Sequence, residues 1–168
     1  LETAVEQEDQ LLPHACEVLQ EYYHRIGRMD KFRQIELRLH AYEKHLAASR
    51  AERVEVAVKD TFVPHGLDDG QLRSLQATLA AHADVVLAEI ARKELRHFPK
   101  QKLFVLCIRR RPAWHRLPNS DRDRALISKL SLEVKLPGRM LIVAPSGSYK
   151  GLARKISRVP GAKIFERP

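Results

Sequence analysis

Two kinds of apolar pattern divide the chain. In its first third, apolar residues recur at intervals of three and four: Cys16, Leu19, Tyr22 or Tyr23 and Ile26, then Phe32, Ile35, Leu39, Tyr42 and Leu46. That is the period of an amphipathic helix. From Leu103 to Ile108 the residues are apolar without a break, and charge stands on either side at Lys102 and Arg109. A half-exposed strand alternates with period two, so an unbroken run reads as a strand covered on both faces. The first pattern predicts a helical hairpin and the second the centre of a sheet.

Residues 1–12 begin acidic (Glu2, Glu6, Glu8, Asp9) and read as a frayed start or the end of a preceding helix. A helix is expected over 13–26 with Pro13 in its first turn, then Gly27 as the stop and Asp30 as the next N-cap. The second helix is expected to reach about Lys59, with Val54 and Val58 on its stripe. Pro64, Gly66, Asp68, Asp69 and Gly70 mark a boundary, so the domains are drawn as hairpin 1–60, linker 61–70 and α/β domain 71–168. Asp68 with Gln71 resembles a capping box, opening a helix on Leu72, Leu75, Leu79 and Val86.

Residues 85–98 are ambiguous. Ala88, Glu89, Ala91, Lys93 and Glu94 favour helix, but Val85, Leu87, Ala91 and Leu95 share one side of an extended chain. They are read as a strand paired with 103–109 through Pro99, Lys100 and Gln101. Ser120 and Asp123 open a helix with Ala125, Leu126, Leu130 and Val134 on its face, stopped by Pro137 and Gly138. A second buried strand follows at 140–144. Ser146 or Ser148 then caps a short helix holding Leu152, Ala153 and Ile156, and a last strand covers 162–165. The fold class expected is mixed α/β: an N-terminal helical hairpin, then a small sheet with a parallel core and crossover helices.

Composition adds bounds. The 168 residues are 44% hydrophobic and 30% charged, as in globular domains. The longest apolar runs, 103–108 and 140–144, are far short of the ~20 residues a spanning helix needs, so a soluble segment is expected, on the cytoplasmic side. Leu1 is no initiator, and Met29 and Met140 are internal, which suggests a piece of a longer polypeptide. Cys16 and Cys107 have no zinc-ligand spacing and read as free buried thiols. The net charge is +9, and from Arg92 to Arg124 there are eleven Lys and Arg against three acids (Glu94, Asp121, Asp123). Such a run suits phosphate, an anionic surface or an acidic protein face.

Chemistry is sparse. Glu36, His40 and Glu43 share a helix face beside the apolar stripe and read as solvated. No HExxH motif, with its paired His ligands and general-base Glu, occurs. Residues 146–151 (Ser-Gly-Ser-Tyr-Lys-Gly) follow a strand and open a helix, a place for a phosphate near Ser146, Ser148 and Lys150, though without P-loop spacing, and ordinary turn chemistry outweighs that reading. Neither serine has a recognisable His and acid partner. Arg109, Arg110, Arg111, Trp114 and Arg116 follow the central strand, where open sheets bind ligands. Trp114 reads either as an exposed ring for stacking or as one folded onto the core. The candidate partner- or anion-binding residues are therefore Arg109, Arg110, Arg111, Trp114, Arg116, Ser146, Ser148 and Lys150, with no catalytic and no metal-ligating residue in this segment.

Leu19-x-x-Tyr22 followed by Gly27-Arg28-x-Asp30 resembles the middle of a tetratricopeptide hairpin, with Phe32 where a small residue usually packs and no second copy at the repeat period, hence one degenerate or terminal unit. Lys59-Asp60-x-Phe62-x-Pro64-His65-Gly66-Leu67, residues 92–99 (Arg-Lys-Glu-Leu-Arg-His-Phe-Pro), Leu103-Phe104-Val105-Leu106 and Leu136-Pro137-Gly138 together resemble the C-terminal region of bacterial membrane-anchored zinc metallopeptidases of the HtpX and CAAX-prenyl-protease-like class. The resemblance implies a catalytic domain upstream, inner-membrane anchoring of the parent, and zinc held only there, since the family's HExxH residues have no counterpart in this chain. It also implies a non-catalytic accessory role here, with a protein partner: the parent's own catalytic domain or a protein substrate. The alternative is a nucleic-acid- or anion-binding module using the basic run from Arg92 to Arg124.

Overall fold

A computed structural model of the chain describes residues 2–97, 99–111 and 120–167. It divides into two compact units, Leu1–Glu52 and Arg53–Pro168.

The first unit is built from helices α1 (Glu2–Arg25) and α2 (Met29–Val54). α1 begins earlier than the sequence suggests and runs through Pro13, which lacks the N–H of a regular helical hydrogen bond. Its stop is a glycine in the left-handed region, Gly27 at φ +71°. The Gly27 N–H donates to His24 O at 3.2 Å and the Arg28 N–H to Tyr23 O at 2.9 Å, which satisfies carbonyls the helix end would orphan. Asp30 is not the N-cap of α2; it lies in the first turn, where its carboxylate takes the Arg28 Nε and Nη2 at 3.1 Å each. The guanidinium holds that carboxyl down at about 2. α2 stops at Val54, short of the predicted Lys59. Phe32, Ile35, Leu39, Tyr42 and Leu46 form its half-buried face, as the spacing predicts. On α1 the prediction holds for Cys16, which is buried, and for Tyr23, which is half-buried; Leu19, Tyr22 and Ile26 are exposed.

In the second unit a mixed five-stranded sheet comprises β1 (Phe62–Val63), β2 (Val85–Lys93), β3 (Leu103–Arg110), β4 (Arg139–Val143) and β5 (Lys163–Glu166). Helices α3 (Asp69–Ala81), α4 (Ser120–Glu133) and α5 (Lys150–Ile156) lie between them in sequence. The β2–β3 pair is the antiparallel hairpin read from residues 85–109, with Glu89 opposite Cys107 and Ala91 opposite Val105. Strand propensity is not what decides β2; the partner strand is, because six successive residues of β3 are buried and need covering on both sides. β3 pairs in parallel with β4, setting Leu106 beside Ile142. That is the sheet's one parallel pair among the described residues, so the parallel core is narrower than expected. β5 returns antiparallel to β2, on the edge it shares with β1. β4 is an edge strand, and Met140, Leu141 and Ile142 are half-buried instead of fully covered.

Alternation along the strands sorts side chains into two cores. Val85, Ala88, Ile90, Phe104, Leu106 and Ile108 pack with Leu75 and Leu79 of α3 and Leu130 of α4. Ala91, Val105, Cys107 and Val143 pack on the other face with Leu152, Ala153 and Ile156 of α5. α3 begins as predicted: Asp68 accepts from the Gln71 N–H at 2.8 Å, and the Gln71 side chain accepts from the Asp68 N–H at 3.2 Å. The stretch 61–70, drawn as a linker, contributes β1 and this cap to the unit.

Lys93 ties the entry of the chain to the sheet. It is 5% exposed, its ammonium 2.9 Å from Asp60 Oδ2 and 2.8 Å from the Glu55 carbonyl to which it donates. Burial alone would raise the Asp60 carboxyl, but the Ala57 N–H at 2.8 Å and Lys93 outweigh it and hold it below the ordinary 3.8. A carboxyl lowered by folding stabilises above its unfolded value, and that contribution fades as pH falls through the folded one. Asp60→Asn is expected to cost about 2–3 kcal/mol at pH 7. The difference from the unaltered chain, measured by urea unfolding, narrows as pH falls through 3.8 and below; a difference unchanged at low pH would count against this clamp. At Gly138 (φ +158°) an added Cβ would stand 2.6 Å from Lys102 O, where β3 and β4 begin. Gly138→Ala should therefore cost about 2 kcal/mol by overpacking, read as a lowered melting temperature.

Candidate functional site

The apolar run of β3 ends at Ile108, and the two residues after it go to opposite faces of the sheet. Arg110 turns to the α4 side, where its Nε meets Asp123 Oδ1 at 2.8 Å. Arg109 lies two places beyond Cys107 and therefore on the α5 side. There it borders a cavity of about 350 Å³ with Glu89, Pro145, Lys150, Ala153, Arg154 and Ser157. Its position follows from the topology: β3 and β4 run in parallel, and the cavity opens past their carboxyl ends.

Lys150 and Arg154 are four residues apart, one turn of α5, and so project from the same helix face. Both are exposed, as is Arg109. Glu89 enters from the middle of β2, half-buried, next to Cys107 on one side and Lys163 on the other. Burial raises its carboxyl above the ordinary glutamate value, against the pull of Arg109 and Lys163. Two of the donors around it are committed elsewhere. Lys163 binds Glu166 at 2.8 Å, and the Ser157 hydroxyl donates to the Arg154 carbonyl at 2.9 Å. No side-chain hydrogen bond or ion pair among the described residues occupies Glu89, Arg109, Lys150 or Arg154.

Of the residues singled out from the sequence, the structure brings Arg109 and Lys150 together. Arg110 is spent on Asp123. Arg111 is exposed, its N–H donating to Asp84 O at 2.8 Å. Ser146 and Ser148 are exposed and do not line the cavity. Nor does either serine cap α5: Ser146 has extended backbone but no capping side-chain bond, and a 3₁₀ turn, Gly147–Tyr149, intervenes. Trp114 and Arg116 lie outside the described residues. Sequence reading missed Glu89 and Arg154. Glu89 is the one acid within Val85–Lys93, an otherwise apolar stretch with a basic end, and that isolation was the available signal. Arg154 was signalled by its i+4 spacing from Lys150.

The described residues of the basic run do not all face one way. Lys93 is buried beside Asp60, Arg109 faces the α5 side and Arg110 the α4 side. A second cavity of about 440 Å³ lies between the end of α3 and α4, lined by His82, Asp84, Arg122 and Lys129 among others. His82 Nε2 there lies 2.7 Å from Glu133 Oε2. Glu36, His40 and Glu43 are all exposed, and no group of three or more metal-ligating side chains occurs among the described residues. No described helix is long and apolar enough to cross a membrane. Comparison of the chain with protein-family models, with curated proteins and with solved structures finds no match in any of the three.

Cys107 lies beside the site without serving it. It is 3% exposed, and burial, with Glu89 adding to it, pushes the thiol up to about 12. The thiolate is the reactive form, so alkylation by iodoacetamide at pH 8 should leave Cys107 unlabelled in the folded chain and label it in urea. Rapid native labelling, read by peptide mass spectrometry, would show the α5 face to be open.

Proposed function

We propose that the chain is a non-catalytic accessory module whose α/β unit binds an anionic group at Arg109, Lys150 and Arg154. One observation carries this reading: three cations from two separate elements converge on a single cavity, at the end of a parallel strand pair, with no side-chain hydrogen bond or ion pair occupying them among the described residues. Guanidinium forks match the paired oxygens of phosphate or carboxylate, and an ammonium adds a point charge. On the resemblance drawn from the sequence, the host protein is a membrane zinc metallopeptidase. Zinc and proteolysis then belong to the host's own catalytic domain, and this module serves docking or recruitment.

An NMR titration with inorganic phosphate tests the anion site. Shifts should concentrate at Arg109, Lys150 and Arg154, and Arg109→Gln should weaken binding about tenfold, the worth of one charge-assisted hydrogen bond. Shifts scattered over the basic surface would refute the site. Single-stranded nucleic acid serves as a contrast: three cations limit the slope of log K against log salt to about −2, and a much steeper slope would favour a broad nucleic-acid surface.

A second reading, protein docking through the hairpin, is favoured by one feature of the first unit. Val18, Tyr22 and Ile26 step by four along one side of α1 and are 55%, 54% and 49% exposed. Such an apolar row suits a protein partner. In the full-length host, residues 18–26 should exchange amide hydrogens more slowly than in the isolated chain, while equal exchange would argue that nothing covers the row.

A further inference from the structure

This inference rests on the anion-binding reading of the cavity and goes one step further, to the class of ligand. We infer that the cavity takes a small phosphate monoester whose carbon body carries a hydroxyl, with Arg109, Lys150 and Arg154 on the phosphoryl oxygens and Glu89 accepting from the hydroxyl.

Charge balance is the first argument. Three cations and one carboxylate line the cavity, leaving two positive charges for the ligand to match. A phosphate monoester carries about −1.5 to −2 at pH 7, whereas a monocarboxylate would leave one cation uncompensated. The second argument is Glu89. A half-buried carboxylate without a hydrogen bond costs free energy; Arg109 attracts Glu89 without hydrogen-bonding to it, and Lys163 and the Ser157 hydroxyl are engaged with Glu166 and a backbone carbonyl. Its acceptor sites are open on the cavity side, and a ligand hydroxyl satisfies them where a bare anion would be repelled. Size is the third. About 350 Å³ lies in the range of small-molecule pockets, and inorganic phosphate fills only a small part of it.

The test titrates the full chain with glycerol 3-phosphate, methyl phosphate and inorganic phosphate, followed by calorimetry and by NMR shifts. Glycerol 3-phosphate should bind about tenfold more tightly than methyl phosphate, the worth of one hydrogen bond to a charged group. Glu89→Gln should strengthen inorganic and methyl phosphate, since a like charge is removed, and reduce the glycerol 3-phosphate preference to about threefold or less. Arg154→Gln should weaken all three ligands alike. Equal affinities for the two esters, or a preference unchanged in Glu89→Gln, would overturn the hydroxyl recognition while leaving the anion site standing. If none of the three binds, or shifts avoid Arg109, Lys150 and Arg154, the anion site itself fails. Should Glu89→Gln not fold, the comparison of the two esters on the unaltered chain still decides.

Discussion

Burial of β3 on both faces is the constraint from which the α/β unit follows. Every N–H and C=O along a covered strand must be paired, so β3 is flanked by β2 on one edge and β4 on the other. Every side chain along it must be apolar, which residues 103–108 are. Two covering layers are then required, and α3 with α4 supply one while α5 supplies the other. Charge can enter such a sheet only where its cover ends. Arg109 and Arg110 stand at that limit, and alternation sends them to different faces.

β2 carries charge on the α5 face at two points, and the contrast between them is instructive. Lys93 and Glu89 are four residues apart on the same side of the strand, so they share one face. Lys93 is buried and fully engaged by Asp60 and the Glu55 carbonyl, which makes it a fastening for residues 55–60. Glu89 is half-buried, faces a cavity and has no hydrogen-bond partner among the described residues. Arg109 and Lys163 attract it, but a carboxylate withdrawn from water without a hydrogen bond still costs free energy unless something outside the fold completes it. The first charge explains how the unit closes; the second is the reason to look for a ligand.

How much was legible in the sequence follows from which interactions are local. The capping box at Asp68 and Gln71 and the Gly27 stop involve residues within a few positions of one another, and both read directly. The β2–β3 hairpin was legible despite weak strand propensity because its partner, the run 103–108, was unmistakable. The pairing of β5 was not legible: strand–helix–strand spacing suggests parallel pairing, and nothing in Lys163–Glu166 says that it will turn back along β2 instead. The edge position of β4 was equally invisible, since Met140 to Val143 are as apolar as a central strand. On α1, spacing left Tyr22 and Tyr23 as alternatives, and it is Tyr23, with Cys16, that is covered, while Leu19, Tyr22 and Ile26 are exposed.

The site divides along the same line. Arg109 and Lys150 were each suspected from local features, a charge following a buried strand and a basic residue opening a helix. Their meeting depends on β3 and β4 being parallel neighbours, which is a property of the sheet. Arg154 joins them from outside the basic run, while Lys93 and Arg110 within that run are consumed by Asp60 and Asp123. Charge counted along the chain therefore overstates the surface open to a polyanion and hides the smaller set of cations that converge. A cavity holding three such cations and one carboxylate discriminates by the shape and donors of its ligand, where an open basic face would respond to charge density alone.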